Sequence, residues 1–229
     1  MDGYLTYILN ESAGSQSLTL KNETFKYLIK VRRHKVDDLI SFRNPNENRI
    51  EYKYILKSID GRSCSLELLS SNKNIVEAVK KLHIGWCVID IKSIEKVLPS
   101  LNEIGVNKIT FIECSRSQKS FKLDFDRFNR MLTTSSQQCG RSSTIEFAQS
   151  SSIKKFILNE PKTTVFDFSN QVLSSEQVSK IETILVGCEG GFSEEERELL
   201  KANDVIKLNT PMILRSESAV MVIASKILC

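Results

Sequence analysis

Ile184-Leu185-Val186-Gly187-Cys188-Glu189-Gly190-Gly191-Phe192-Ser193-Glu194-Glu195-Glu196 is the stretch on which the reading of this chain turns. Its apolar start reads as a buried strand, its glycines as a turn, and Ser193 with Glu196 three residues later as a capping box that opens a helix. The chain has nine glycines in 229 residues, and Gly187, Gly190 and Gly191 fall together here. Glycine is needed where the backbone takes positive φ or where a ligand approaches the main chain closely. A strand, a glycine turn and a helix in succession form a candidate ligand cradle at the carboxyl end of a buried sheet. An ordinary tight strand-to-helix connection would be written in much the same way.

Outward from this stretch, residues 75–229 alternate between strand and helix patterns, which predicts an α/β domain with a mostly parallel sheet. Strands are expected at 85–91, 108–113, 164–168, 184–187 and 205–208. Helices are expected at 93–104, closed by Gly105 and interrupted by Pro99, at 126–139, ended by Gly140, and at 193–202 and 217–228. The last helix carries Val220, Met221, Val222, Ile223, Ile227 and Leu228 around nearly its whole circumference. Such a helix is buried in its own domain or against a partner, and a partner surface is the favoured reading.

Residues 1–69 read differently. Short β-prone runs at 4–9, 49–59 and 63–69 are separated by turn residues at Asn44-Pro45-Asn46 and Asp60-Gly61, with a short helix over 24–33. A small β-barrel fits this length. The polar run 70–74 reads as the linker.

Composition places the chain among globular proteins: 41% hydrophobic, 26% charged, with a net charge of +4 that permits a polyanionic partner without requiring one. Six cysteines are scattered without a CxxC pair and only two histidines are present, so no metal site is expected and the thiols read as reduced, in a cytoplasmic protein. No signal peptide is read at the N-terminus, and residues 219–228 are too short to span a bilayer.

Two further clusters carry chemistry. Residues 208–219 combine a strand end, a turn stiffened by Pro211 and a hydroxyl-rich helix start: either a second ligand loop or a helix entry with Ser216 as N-cap. Arg116, Lys119, Lys122, Arg127, Arg130 and Arg141 gather in one region beside Gln137 and Gln138, a composition suited to phosphate and base-edge contacts, although a solvated helix face would also explain Arg127 and Arg130. No GxxxxGK[ST] or GxGxxG motif accompanies the glycine loop, and Glu189, Glu194, Glu195 and Glu196 would repel a polyphosphate. A neutral or cationic ligand fits better, and S-adenosylmethionine is one.

Gly187-Cys188-Glu189-Gly190-Gly191-Phe192-Ser193 resembles the GPEGGFS segment of the 16S ribosomal RNA uridine-N3 methyltransferases of the RsmE type, in the SPOUT superfamily. Residues 208–219 are similar to that family's LGxxILRxETA, residues 103–106 to its ELGV, 115–117 to its ERS, 138–141 to the end of its EQSGR, and 27–38 to its HxxxVLRxxxGD. The chain differs from these patterns at Cys188 (for proline), Asn209 (glycine), Ser218 (threonine), Gln137 (glutamate), Tyr27 (histidine), Arg32 (leucine) and Asp37 (glycine).

The resemblance implies a PUA-like β-barrel over 1–69 that grips RNA and a SPOUT domain over 75–229 with a deep trefoil knot. It implies a homodimer, S-adenosylmethionine as methyl donor, and methylation of N3 of one uridine in 16S ribosomal RNA or the assembled small subunit. Donor contacts are implied for Phe168, Gly187, Cys188, Glu189, Gly190 and Gly191, and for Leu208, Asn209, Met212, Ile213, Leu214, Ser218 and Ala219. RNA contacts are implied for Arg32, Arg33, Arg116, Lys119, Gln138 and Arg141. Arg215 and Arg116 are candidates to steady charge developing on the uracil carbonyls, and Glu189 is the candidate base. Arg116 and Arg141 are expected to serve RNA rather than the donor. The alternatives are a non-catalytic RNA-binding or ribosome-assembly protein that keeps the fold, and a SPOUT enzyme acting on another nucleotide.

Overall fold

A computed structural model describes residues 6–117 and 122–229, so Tyr4 and Leu5 of the first expected strand and Lys119 of the basic cluster lie outside the described residues. The chain forms two compact units. Residues 1–77 with 136–143 make the first, and residues 78–135 with 144–229 the second.

The first unit is a five-stranded sheet in the order β1 (Ile8–Leu9), β3 (Leu39–Asn44), β4 (Glu47–Asp60), β5 (Ser63–Lys73), β2 (Ser17–Lys21). Only β1 and β3 are parallel. Register shifts between Phe42 and Asn44, Lys53 and Tyr54, and Leu56 and Ser58 bend the long strands into a curled sheet. Period-two alternation turns Leu18, Leu20, Tyr54, Leu56, Cys64 and Leu66 into one core, which Phe25 and Leu28 cap from α1 (Asn22–Phe25) and its π-helical continuation Lys26–Val31. The expected linker is not one: Ser70–Lys73 prolong β5 and pair with residues 50–53 of β4. Polar composition hid this because a strand at a sheet rim needs no buried face.

Residues 136–143 join this unit through polar contacts. The Tyr7 hydroxyl donates to Arg141 O at 2.8 Å, and Thr6 N–H to Gln137 O at 3.0 Å. The buried Arg43 guanidinium donates to Asn48 O, to Asn74 O at 2.8 Å and to Ser142 Oγ at 3.0 Å, 4.8 Å from the Tyr7 ring centroid.

Asp37 has φ of 74°, in the left-handed region where glycine is at ease and aspartate is tolerated. This is a position at which the resembling motif carries glycine. Asp37→Gly is expected to stabilise the protein by about 0.5–1 kcal/mol, the relief of the Cβ clash exceeding the freedom gained by the unfolded chain. A rise in the urea midpoint checks it.

The second unit is a parallel six-stranded sheet in the order β11 (Val205–Ile206), β9 (Thr164–Phe166), β10 (Thr183–Val186), β6 (His83–Cys87), β7 (Lys108–Ile112), β8 (Glu146–Ser150). Its central strands are buried on both faces, as the continuous apolar runs Thr183–Val186 and Lys108–Ile112 require. The helices are α2 (Ile91–Ile104), α3 (Phe125–Cys139), α4 (Ile153–Asn159), α5 (Ser175–Lys180), α6 (Glu194–Leu200) and α7 (Ser216–Leu228). The Asp90 carboxylate accepts from Ser93 N–H at 2.8 Å to cap α2, which Gly105 ends at φ 102°. Pro99 is accommodated inside that helix.

The apolar α7 is explained largely within its own unit. Ala219, Val220, Ile223, Ala224 and Ile227 are buried, and the helix packs on α2, α5 and β10. Arg215, not Ser216, occupies its N-cap position, without a side-chain cap.

Candidate donor-binding site

Parallel α/β sheets bind ligands beyond the carboxyl ends of their strands, and here a cavity of about 480 Å³ lies at the ends of β9 and β10. Gly191 N–H donates to Cys188 O at 2.9 Å, closing a tight turn whose last residue has φ of 65°. That value accounts for Gly191. Gly190 has another reason: a Cβ there would stand 3.2 Å from Arg116 Cδ.

The turn is fastened on three sides. Ser193 Oγ accepts from Glu196 N–H at 3.2 Å, and Glu196 Oε2 accepts from Ser193 N–H at 2.8 Å, the capping box that the sequence predicts. The other Glu196 oxygen accepts from Ser115 N–H at 2.7 Å, so this acid is consumed in structure rather than facing a ligand. Arg116 Nη1 donates to Gly190 O at 2.6 Å. Behind the turn, Trp86 Nε1 donates to Ser216 Oγ at 2.9 Å and Ser216 Oγ donates to Gly187 O at 2.6 Å. Ser216→Ala would orphan a buried indole N–H and a carbonyl together, and is expected to cost about 2 kcal/mol of unfolding free energy in urea titrations.

The cavity gathers Phe168, Gly187, Cys188, Glu189, Gly190, Gly191, Leu208, Met212, Ile213, Leu214 and Ala219 with Arg116 and Arg215. Asn209 and Ser218 do not line it. Phe168, Met212 and Ile213 are 73%, 66% and 81% exposed, an apolar rim left uncovered by the chain itself. The sequence reading missed Asp167, Arg197 and Lys207, which also line the cavity. Asp167 accepts from Arg197 Nε at 2.9 Å, so of the two carboxylates lining the cavity Glu189 is the one without an ion pair among the described residues. Only a residue-pair signal across 30 positions could have shown that bridge.

The expected RNA-side residues belong to both units. Arg116 sits on the glycine turn, so its loss would loosen that turn as well as any contact to RNA. The Arg141 side chain is 6% exposed, with Nε 3.5 Å from the Glu77 carboxylate. Desolvation lowers its guanidinium pKa, the Glu77 charge opposing. Gln138 and Arg33 are exposed, and Arg32 donates to the Tyr27 hydroxyl through Nε and Nη2 at 2.9 and 2.8 Å. Among the described residues no group of three or more His, Cys, Asp or Glu side chains is arranged to hold a metal ion, and no described helix is long and apolar enough to cross a membrane.

A parallel α/β unit with a glycine-lined, apolar-rimmed cavity at its carboxyl edge defines a binder of a compact, partly apolar small molecule, the class to which nucleotide-like cofactors belong. The family model described as RNA methyltransferase domain matches residues 76–228. The chain is 33% identical to ribosomal RNA small subunit methyltransferase E of Helicobacter pylori, over 96% of this chain and 98% of that one. The protein of the same name from Buchnera aphidicola is 23% identical, covering 94% and 89%. In fold it is similar to ribosomal RNA small subunit methyltransferase E of Neisseria gonorrhoeae bound to S-adenosyl methionine, with a TM-score of 0.76, 16% identity and 97% and 96% covered. A Legionella pneumophila protein solved in complex with S-adenosylmethionine gives a TM-score of 0.73 at 21% identity, covering 96% and 95%. The chain belongs to the RNA methyltransferase domain family, in its RsmE-type branch.

Proposed function

We propose that this protein transfers a methyl group from S-adenosylmethionine to N3 of a uridine in the RNA of the small ribosomal subunit. The observation that carries the reading is the convergence of the 187–191 turn, the 208–214 turn, Arg116 and Arg215 on one cavity. The named relatives, which are ribosomal RNA small subunit methyltransferases, supply the substrate class. The cavity volume suits a cofactor of this size, and its rim of Phe168, Met212 and Ile213 suits a flat heterocycle.

The donor supplies an electrophilic methyl on a sulfonium. Main-chain groups of the two turns hold and orient it, and the apolar rim excludes water from the reacting centre. Uridine N3 lies on the pairing edge, so the base enters unpaired or extruded. Its proton leaves to Glu189, the cavity carboxylate not engaged by Arg197. Arg215 steadies the negative charge that spreads to the uracil carbonyl oxygens. Arg116 positions the glycine turn through Gly190 O.

The proposal extends to the fold and assembly. A PUA-like role for the N-terminal unit is supported by its curled, bulged sheet and by exposed Arg33. A trefoil knot in the second unit is supported by its crossings: β11 lies at the sheet edge beyond β9, yet the chain leaving it reaches Gly187 and Trp86 through Ser216 and sets α7 on α2. A homodimer through the open side of α7 is supported by exposed Val222, and light scattering is expected to give twice the 26.0 kDa chain mass.

The test is transfer of labelled methyl from S-adenosylmethionine to small-subunit RNA, followed by nucleoside digestion and mass spectrometry. The expected product is N3-methyluridine. Label appearing in another nucleoside would displace the uridine assignment and keep the methyltransferase. No label in naked RNA or in assembled subunits would overturn both.

A further inference from the structure

Beneath the glycine turn lies a group of thiols that the proposed reaction does not use. Cys188 Sγ and Cys114 Sγ are 3.5 Å apart and both residues are buried, Cys188 on the cavity wall and Cys114 at the end of the strand that carries Arg116 onward. Ser117 Oγ lies 3.0 Å from Cys114 Sγ and accepts from Cys114 N–H at 3.2 Å, so the 114–117 turn is closed around that sulfur. We propose that Cys114 and Cys188 are a modification site, a thiol pair that a small hydroperoxide converts to a disulfide, locking the glycine turn against the 114–117 turn and lowering affinity for the methyl donor. The affinity part of this inference rests on the cavity being the donor site.

Several observations support the assignment of roles. The Cys188 thiol, 3.5 Å away, and then the Cys87 thiol hold the Cys114 thiol well below its usual value. Burial opposes them, and the Ser117 hydroxyl and Arg116 N–H add to the lowering. Cys188 and Cys87 are pushed up by the same contacts. Thiolate is the nucleophile, so Cys114 attacks first. Its sulfur takes one peroxide oxygen, the O–O bond breaks, and hydroxide leaves, giving sulfenic acid. The Cys188 thiol then attacks that sulfur. The S–S bond forms, the S–O bond breaks, and the Cys188 proton departs with the hydroxide as water. With the proton that Cys114 released taken up by the first hydroxide, the balance is two thiols oxidised and one hydrogen peroxide reduced to two waters.

Closing the sulfurs from 3.5 Å to a disulfide bond of about 2 Å moves a residue of the cavity wall. It does so between two anchors, Ser115 N–H on Glu196 and Arg116 on Gly190 O, so the strain falls on the turn that holds the donor.

The whole protein, reduced and then treated with hydrogen peroxide, is digested without reductant and mapped by mass spectrometry, while S-adenosylmethionine binding is followed by calorimetry. A Cys114–Cys188 link is expected, with affinity about tenfold or more weaker, in the range of ordinary site coupling, and restored by dithiothreitol. Cys114→Ser is expected to bind like the reduced parent and to ignore peroxide. A Cys87–Cys114 link, or modification confined to exposed Cys139 and Cys229, overturns the site. A mapped Cys114–Cys188 link with unchanged affinity overturns its effect on the donor. Failure of the reduced protein to bind donor at all defeats the cavity reading instead, which the thiol map does not depend on.

Discussion

Replacing Gly190 with valine is expected to weaken S-adenosylmethionine binding about 30-fold, roughly 2 kcal/mol, and to leave the fold intact. A Cβ at this position would meet Arg116 Cδ at 3.2 Å and Arg116 Cβ at 3.3 Å, and the branched methyls of valine reach further. The arginine must then leave the turn, and its 2.6 Å bond to Gly190 O goes with it. Gly190 does not sit at positive φ, unlike Gly191, so the substitution stores no backbone strain. Calorimetry with the donor, beside an unchanged circular dichroism spectrum and melting point, checks the result. Parental affinity would remove the turn from the donor site.

Arg215→Ala is expected to slow single-turnover methyl transfer about 10²-fold at saturating donor and RNA, roughly 2.7 kcal/mol, the usual size of losing one charge-stabilising donor. Arg215 is exposed at the cavity and opens α7 with its backbone alone, so neither the helix cap nor the core needs its side chain. Donor affinity should therefore stay near that of the parent. Arg215→Lys, which keeps the charge but not the planar fork, should recover only part of the rate. An unchanged rate for the alanine variant would place charge stabilisation elsewhere.

The parallel unit was legible because its strands are continuous apolar runs punctuated by glycine. Gly105 and Gly140 end α2 and α3 at φ of 102° and 87°, where the sequence places helix ends, and Ser193 with Glu196 forms the anticipated capping box. The cavity was legible too, since the glycine turn and the 208–214 turn are each local signals and the sheet brings them together. What escaped the sequence was carried by pairs distant along the chain. Arg141 reads as a surface cation until Glu77 and the Tyr7 hydroxyl are seen beside it. Asp167 and Arg197 meet across the cavity without any shared motif. Ser70–Lys73 look like a linker because a rim strand hydrogen-bonds through backbone alone, leaving no pattern in its side chains. β2, β3 and β8 were missed because polar residues are mixed through their short runs, and α4 and α5, of 7 and 6 residues, are too brief for periodicity to declare them.

The relay from Trp86 through Ser216 to Gly187 has an optical consequence. Trp86 is the chain's one tryptophan, fully buried, and its indole N–H ends on the hydroxyl that also holds the first glycine of the ligand turn. Indole emission responds to the polarity and hydrogen bonding around that N–H, so any molecule that tugs on Gly187 O alters the light emitted by a single, known reporter. The protein thus carries its own fluorophore one hydroxyl behind the cavity lining, and occupancy is expected to be titratable on the unlabelled, unmutated chain.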